Sequence, residues 1–171
     1  KEGMVPNPFP FLEILQMQVK KKMMKVEIIN EYFKRIPKNL GSKEINLLIK
    51  EVIKKLNIKG LEKKQINIKY ISTEEMKNLN TLYLKKAKST NVLAFKNEIF
   101  LQGQTYQLLG EIALCISVIE KEAKNYQKKF ETRFKHMLLH GLLHLLGFDH
   151  KIKKDQQEME AIEDEIISEL V

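Results

Sequence analysis

One cysteine occurs in 171 residues, and that scarcity excludes an intramolecular disulfide or a cysteine-rich zinc module. Cys115 lies in the apolar run Ile112-Ala113-Leu114-Cys115-Ile116, where a thiol is expected to be buried and inert rather than nucleophilic. Arginine is nearly absent too, with Arg35 and Arg133 its two occurrences. No apolar run approaches the roughly 20 residues needed to span a bilayer. A signal-peptide layout is also missing, because Phe9 to Val19 is short, is interrupted by Pro10 and Glu13, and precedes its basic residues instead of following them. There is no internal repeat and no low-complexity segment. The expectation is a cytoplasmic protein with no membrane partner.

What the chain does have is lysine. Lys and Arg total 30 against 22 Asp and Glu, for a net charge of +8. Such a balance fits a polyanionic partner such as nucleic acid. AT-rich coding would also enrich lysine, along with the abundant Ile and Asn, so the charge supports that reading without establishing it. At 43% hydrophobic and 30% charged, the composition is that of a globular protein with a real core.

Residues 1–23 read as an N-terminal extension, with Pro6, Pro8 and Pro10 opposing regular structure and a basic run at Lys20-Lys21-Lys22. Residues 24–171 read as one domain. Val26 to Asn30 suits a strand. Ser42 is placed to cap a helix whose apolar residues Ile45, Leu48, Ile49, Val52, Ile53 and Leu56 recur at helical spacing. Ile66 to Ile71 alternates with period two, as a half-buried strand does. Ser72-Thr73-Glu74-Glu75 resembles a cap leading into a helix through Leu82. Val92 to Phe95 is a short strand, and 97–107 a hairpin or loop. Gly110 is expected to introduce a strand from Glu111 to Cys115, and helices are expected near 117–127, 130–146 and 155–169. The fold class is α+β, a mixed α/β arrangement with a small four-stranded mixed sheet and about five helices.

The chemistry is concentrated in one place. All 4 histidines fall between His136 and His150, three of them in the stretch HGLLHLLGFDH from His140. On a helix, residues i and i+4 share a face, so His140 and His144 can hold one ion. Gly147 beyond them can turn left-handed and bring His150 back. Three histidines leave a zinc coordination position open for water, which is the catalytic arrangement. His136 lies on the same stripe, but i+4 steps drift around the helix, so it is assigned to packing or to supporting the ligands. The spacing is that of a zincin-like metal helix, yet Gly141 stands where H-E-x-x-H peptidases keep their general base. Asp149 could orient an imidazole, serve as a base or simply complete a turn.

These residues resemble a known family. HGLLHLLGFDH is similar to the H-G-x-L-H-L-x-G-[YF]-D-H signature of the YbeY endoribonucleases. Three further blocks agree in order: Leu79-Asn80 with Thr90-Asn91-Val92-Leu93-Ala94-Phe95, then Leu109-Gly110-Glu111-Ile112-Ala113-Leu114-Cys115, then Glu158-Met159-Glu160 with Glu163. The likeness covers about 65–169, with a weaker continuation back to Met24. It implies a metal-dependent endoribonuclease specific for single strands, acting in 16S ribosomal RNA 3′-end maturation and ribosome quality control. Its partners would be ribosomal RNA and the small ribosomal subunit. Carried over, the ligands of one zinc ion are His140, His144 and His150, in a small mixed sheet packed with helices.

One position departs from the family. Where it usually has an arginine, this chain has Leu84, and the lysines Lys85 and Lys86 follow. Leucine cannot hold phosphate. Lysine can do so as a point charge but without arginine's bidentate fork. Lys85, Lys86 and Asp149 are therefore the candidate catalytic residues beside the metal. Two rival readings stand: a zinc hydrolase of peptides or small substrates, and a non-catalytic ribosome-associated protein whose zinc stabilises the fold.

Overall fold

The computed structural model describes residues 24–30, 37, 40–99, 102–148 and 152–170. The 1–23 extension, Asp149 and His150 lie outside them. Among the described residues are four strands and five helices. In chain order these are β1 (Lys25–Asn30), α1 (Ser42–Lys55), β2 (Lys64–Ile71), α2 (Thr73–Leu84), β3 (Val92–Lys96), β4 (Gln107–Cys115), α3 (Ile116–Asn125), α4 (Phe130–Leu146) and α5 (Lys153–Leu170). The sheet order is β1-β2-β4-β3. β1 and β4 run parallel to β2, and β3 runs antiparallel to β4. The sheet is mixed, as the sequence pattern implies.

The alternation in β2 does what its period requires. Ile66, Ile68 and Tyr70 are buried on one face, while Asn67 and Lys69 between them remain half-exposed. That face joins Ile112 and Leu114 of β4 in the main core, with Ile45 and Ile49 of α1, Leu138 and Leu142 of α4, and Met159 and Ile166 of α5. The other face carries a smaller cluster in which Ile71, Leu93, Ala113 and Cys115 meet Met76 of α2. Cys115 is fully buried there, as its apolar run implies.

Two expectations shift, at Ser42 and at Gly110. Ser42 does not cap α1. Gly41 holds the N-cap position with no side-chain bond, and Ser42 begins the helix. Ser72 does cap α2, with Oγ accepting from Glu75 N at 3.1 Å. Gly110 does not introduce β4 but lies inside it, because pairing already starts at Gln107. The link from β3 is the hairpin alternative, closed by Asn97 N donating to Leu109 O at 3.0 Å and Asn97 Nδ2 donating to Leu108 O at 3.1 Å.

Gly110 and Gly141 explain how closely α4 lies on the sheet. A Cβ on Gly141 would come within 2.8 Å of Ile112 Cγ2 and 3.1 Å of Val92 Cγ2. A Cβ on Gly110 would meet the Phe95 carbonyl and, at 2.6 Å, Leu145 Cδ2. Both glycines are sites of backbone approach. The histidine helix is pressed against β3 and β4 by residues of its own signature.

Candidate metal centre

Helix α4 presents Arg133, His136, His140 and His144 at successive i+3 and i+4 steps, so the four side chains form one stripe. The apolar residues between them, Phe134, Met137, Leu138, Leu142 and Leu145, are buried and fix the roll of the helix. The stripe faces α5. There Met159 packs into the core, and Glu163 is carried to the histidines with only 6% of its surface exposed.

The imidazoles of His140 and His144 stand edge to face, with ring centroids 4.7 Å apart. Their Nε2 atoms are 3.2 Å apart. Two nitrogens bound tetrahedrally to zinc at about 2.0–2.1 Å would be separated by roughly 3.3 Å. The separation of the pair matches that of two ligands on one ion. His140 Nδ1 lies 2.6 Å from Glu163 Oε1, and His136 Nε2 lies 3.3 Å from Glu163 Oε2.

Burial alone would raise the Glu163 carboxyl. The hydrogen bonds from His136 and then His140 outweigh it and hold the group below the usual carboxylate range. Ionised, Glu163 only accepts, so both imidazoles donate to it. That fixes the His140 proton on Nδ1 and leaves Nε2 to bind a metal, an outer-sphere arrangement common to metal-binding histidines.

Among the described residues no third His, Cys, Asp or Glu completes a ligand set. His150, the expected third ligand, lies outside the described residues with Asp149. The turn expected to deliver it is present. Gly147 is left-handed at φ 106°, its N–H donates to His144 O at 3.2 Å, and Phe148 N–H donates to Leu143 O at 3.0 Å. This pair of bonds reverses the chain at a helix end. Beside the histidines a cleft of about 240 Å³ opens between His140 and Gln156, Met159, Glu160 and Glu163 of α5.

The lysines stand elsewhere in the chain, on the loop that leads from α2 into β3. Lys85 ends α2 in the left-handed region at φ 58° and its ammonium donates to Leu82 O at 3.2 Å. It caps its own helix. Lys86 and Lys88 are exposed, and among the described residues neither ammonium has a partner. The loop backbone is held from below by buried Asn80, whose Nδ2 donates to Lys88 O at 2.6 Å and whose main-chain carbonyl accepts from Lys86 N at 3.2 Å. Leu84 is 51% exposed beside them.

The family motifs acquire physical roles in this geometry. The Asn80 side chain shapes the lysine loop. Asn91 accepts from Val92 N at 2.7 Å with its Oδ1 and donates to Glu122 at 3.1 Å with its Nδ2. The same Glu122 takes Arg133 Nε and Nη2 at 3.0 and 2.7 Å. These links tie β3, α3 and α4 together beside the histidine stripe. Sequence reasoning placed Glu163 only within a resembling block and missed Asn91, Glu122 and Arg133 as a unit. The available signal was Arg133 standing one turn before His136.

A family model described as Endoribonuclease YbeY matches residues 27–171. The chain belongs to the YbeY endoribonuclease family. It is 45% identical to the Endoribonuclease YbeY of Buchnera aphidicola subsp. Schizaphis graminum over 130 residues, covering 76% of this chain and 80% of that relative. To the Endoribonuclease YbeY of Buchnera aphidicola subsp. Acyrthosiphon pisum it is 39% identical over 148 residues, covering 86% and 93%. A solution structure of a Thermotoga maritima protein shares the fold with a TM-score of 0.54 at 24% identity, covering 84% of this chain and 87% of that one. Endoribonucleases break phosphodiester bonds within an RNA strand. No helix among the described residues is long and apolar enough to cross a membrane.

Proposed function

We propose that this chain is a metal-dependent endoribonuclease specific for single-stranded RNA, using one zinc ion held by His140, His144 and His150. Its substrate is ribosomal RNA at the small ribosomal subunit, in 16S 3′-end maturation and ribosome quality control in the cytoplasm. Residues 24–171 form the catalytic domain, built around a zincin-like helix, and 1–23 are an extension. The observation that carries this reading is the 3.2 Å approach of the two Nε2 atoms, with His140 oriented by buried Glu163. The family's activity supports RNA as the substrate.

Bound zinc supplies a Lewis acid that can polarise a phosphoryl oxygen or acidify a water. The chain's own residues do the rest. Glu163 keeps the His140 proton on Nδ1, so the ligand nitrogen stays available. Lys86 and Lys88 neutralise phosphates and guide the strand, with Lys85 holding the loop's helix end. Asp149 orients the adjacent imidazole or accepts a proton. A splayed single strand can bring its backbone to such a cleft, whereas a duplex keeps its phosphates on a rigid cylinder.

Peptide hydrolysis is disfavoured by packing as well as by chemistry. Even a Cβ at position 141 would crowd Ile112, so the place of the peptidase glutamate is filled by the sheet. The test pairs unstructured RNA with duplex RNA and casein, using the wild type and His144→Ala. Expected is cleavage of the unstructured RNA alone, lost in a folded His144→Ala. Cleavage of casein alone, or equal RNA cleavage by both proteins, would overturn the reading.

A further inference from the structure

We propose that Arg133 is a positioning residue for the metal ligand His140, acting through His136 and Glu163. The inference rests on the metal-centre reading above. Arg133 is itself held on two sides. Nε and Nη2 donate to Glu122 Oε2 at 3.0 and 2.7 Å, and the guanidinium lies over the Tyr126 ring, 5.3 Å from its centroid. Nη1 remains, 3.4 Å from His136 Nδ1.

The direction of that contact is set by chemistry. A guanidinium has donors and no acceptor, so His136 Nδ1 must accept. His136 is then the neutral form with its proton on Nε2, aimed at Glu163 Oε2 at 3.3 Å. With one carboxylate oxygen so engaged, the other meets His140 Nδ1 at 2.6 Å. Each step fixes the next: a permanent donor, an imidazole with one allowed tautomer, a carboxylate with both oxygens assigned, and a ligand whose Nε2 faces the metal position. Without Arg133, His136 Nδ1 loses its donor and the ring is held by Glu163 alone, so it can turn over and present either nitrogen to the carboxylate. One of the two donors that hold the Glu163 rotamer is then no longer fixed in place. The side chain of Arg133 is 13% exposed and committed to Glu122, so its place is that of a brace rather than a phosphate hand.

Three variants test this: Arg133→Met, which fills the space without donating; Arg133→Lys, which can donate to one partner at a time; and Arg133→Met with Glu122→Gln, which leaves no unpaired carboxylate and guards against misfolding. The first readout is the tautomer of His136 in metal-free protein, from long-range nitrogen–proton NMR of the imidazoles. The second is zinc affinity by competition with a chromophoric chelator. The wild type is expected to show the Nε2–H form. Both Met variants should show mixed tautomers and zinc affinity lowered roughly tenfold, the lower end for outer-sphere partners, with Arg133→Lys between. An unmoved His136 tautomer, or affinity within about twofold of the wild type in the folded double variant, overturns the proposal. Wild type that binds no zinc overturns the metal-centre reading along with it. Tight wild-type binding with an unaffected double variant overturns the brace alone.

Discussion

Helices α4 and α2 both end by turning left-handed, one at Gly147 with φ 106° and the other at Lys85 with φ 58°. At Gly147 the turn costs little, because glycine has no Cβ to clash. Lysine in the same region is strained by roughly 1–2 kcal/mol, and here its ammonium and backbone are tied to Leu82 and Thr81. The two turns serve unlike halves of one proposed site. Before Gly147 stands a candidate centre whose imidazoles are half-buried, with His136 and His140 both held by Glu163. Beyond Lys85, Lys86 and Lys88 extend into solvent from a loop held through its backbone by Asn80 and Thr81. A metal centre needs its ligands placed in advance, whereas a phosphate chain of any sequence is met by cations that can follow it.

The largest expected effect comes from removing a ligand. His144→Ala should retain no stoichiometric zinc by elemental analysis and cut RNA at least 100-fold more slowly, with its circular dichroism unchanged. Next is the packing under the helix. Gly141→Ala should gain about 1 kcal/mol of helix propensity and lose about 1–3 kcal/mol to the Ile112 clash. Gly141→Glu should unfold at markedly lower temperature in a calorimetric scan and gain no activity on casein. A stable Gly141→Glu protein would refute the close approach.

Glu163→Gln comes third. It leaves the fold but supplies one carbonyl oxygen where two imidazoles donate, and should weaken zinc binding about 10–100-fold by chelator competition. Unchanged affinity would break the contrast between an ordered centre and an open loop.

Much of this was legible beforehand, for physical reasons. The i, i+4 histidines, the period-two alternation of β2 and the glycine turn at 147 are local rules that tertiary structure obeyed. Gly141 was legible only as an absence. Its positive role, admitting Ile112 and Val92, depends on which sheet face α4 covers, and no periodicity states that. The brace of Asn91, Glu122, Arg133 and Glu163 draws on four elements separated in the chain, so spacing alone could not assemble it. The two lysines looked alike in sequence. The structure separates them: Lys85 is left-handed with its ammonium on Leu82 O, while Lys86 and Lys88 are exposed without an ammonium partner among the described residues.

The smaller effects probe the loop. Lys86→Ala with Lys88→Ala should weaken RNA binding and flatten the slope of log affinity against log salt by about 1.4, if each lysine meets one phosphate of a single strand. An unchanged slope would take the loop off the binding surface. Lys85→Gly should leave that slope nearly untouched and raise stability by about 1 kcal/mol or less, because glycine accepts the left-handed backbone. A slope change equal to that from the other two lysines would show that Lys85 also meets phosphate.

The central claim is that the His140–His144 pair holds a metal used to cut RNA. The most direct measurement titrates zinc into metal-stripped protein while following cleavage of an unstructured RNA oligonucleotide, with His144→Ala in parallel. The account predicts that cleavage returns in proportion to added zinc, saturates near one ion per chain and stays absent in His144→Ala. Full cleavage by the stripped protein, or equal recovery in His144→Ala, would contradict it.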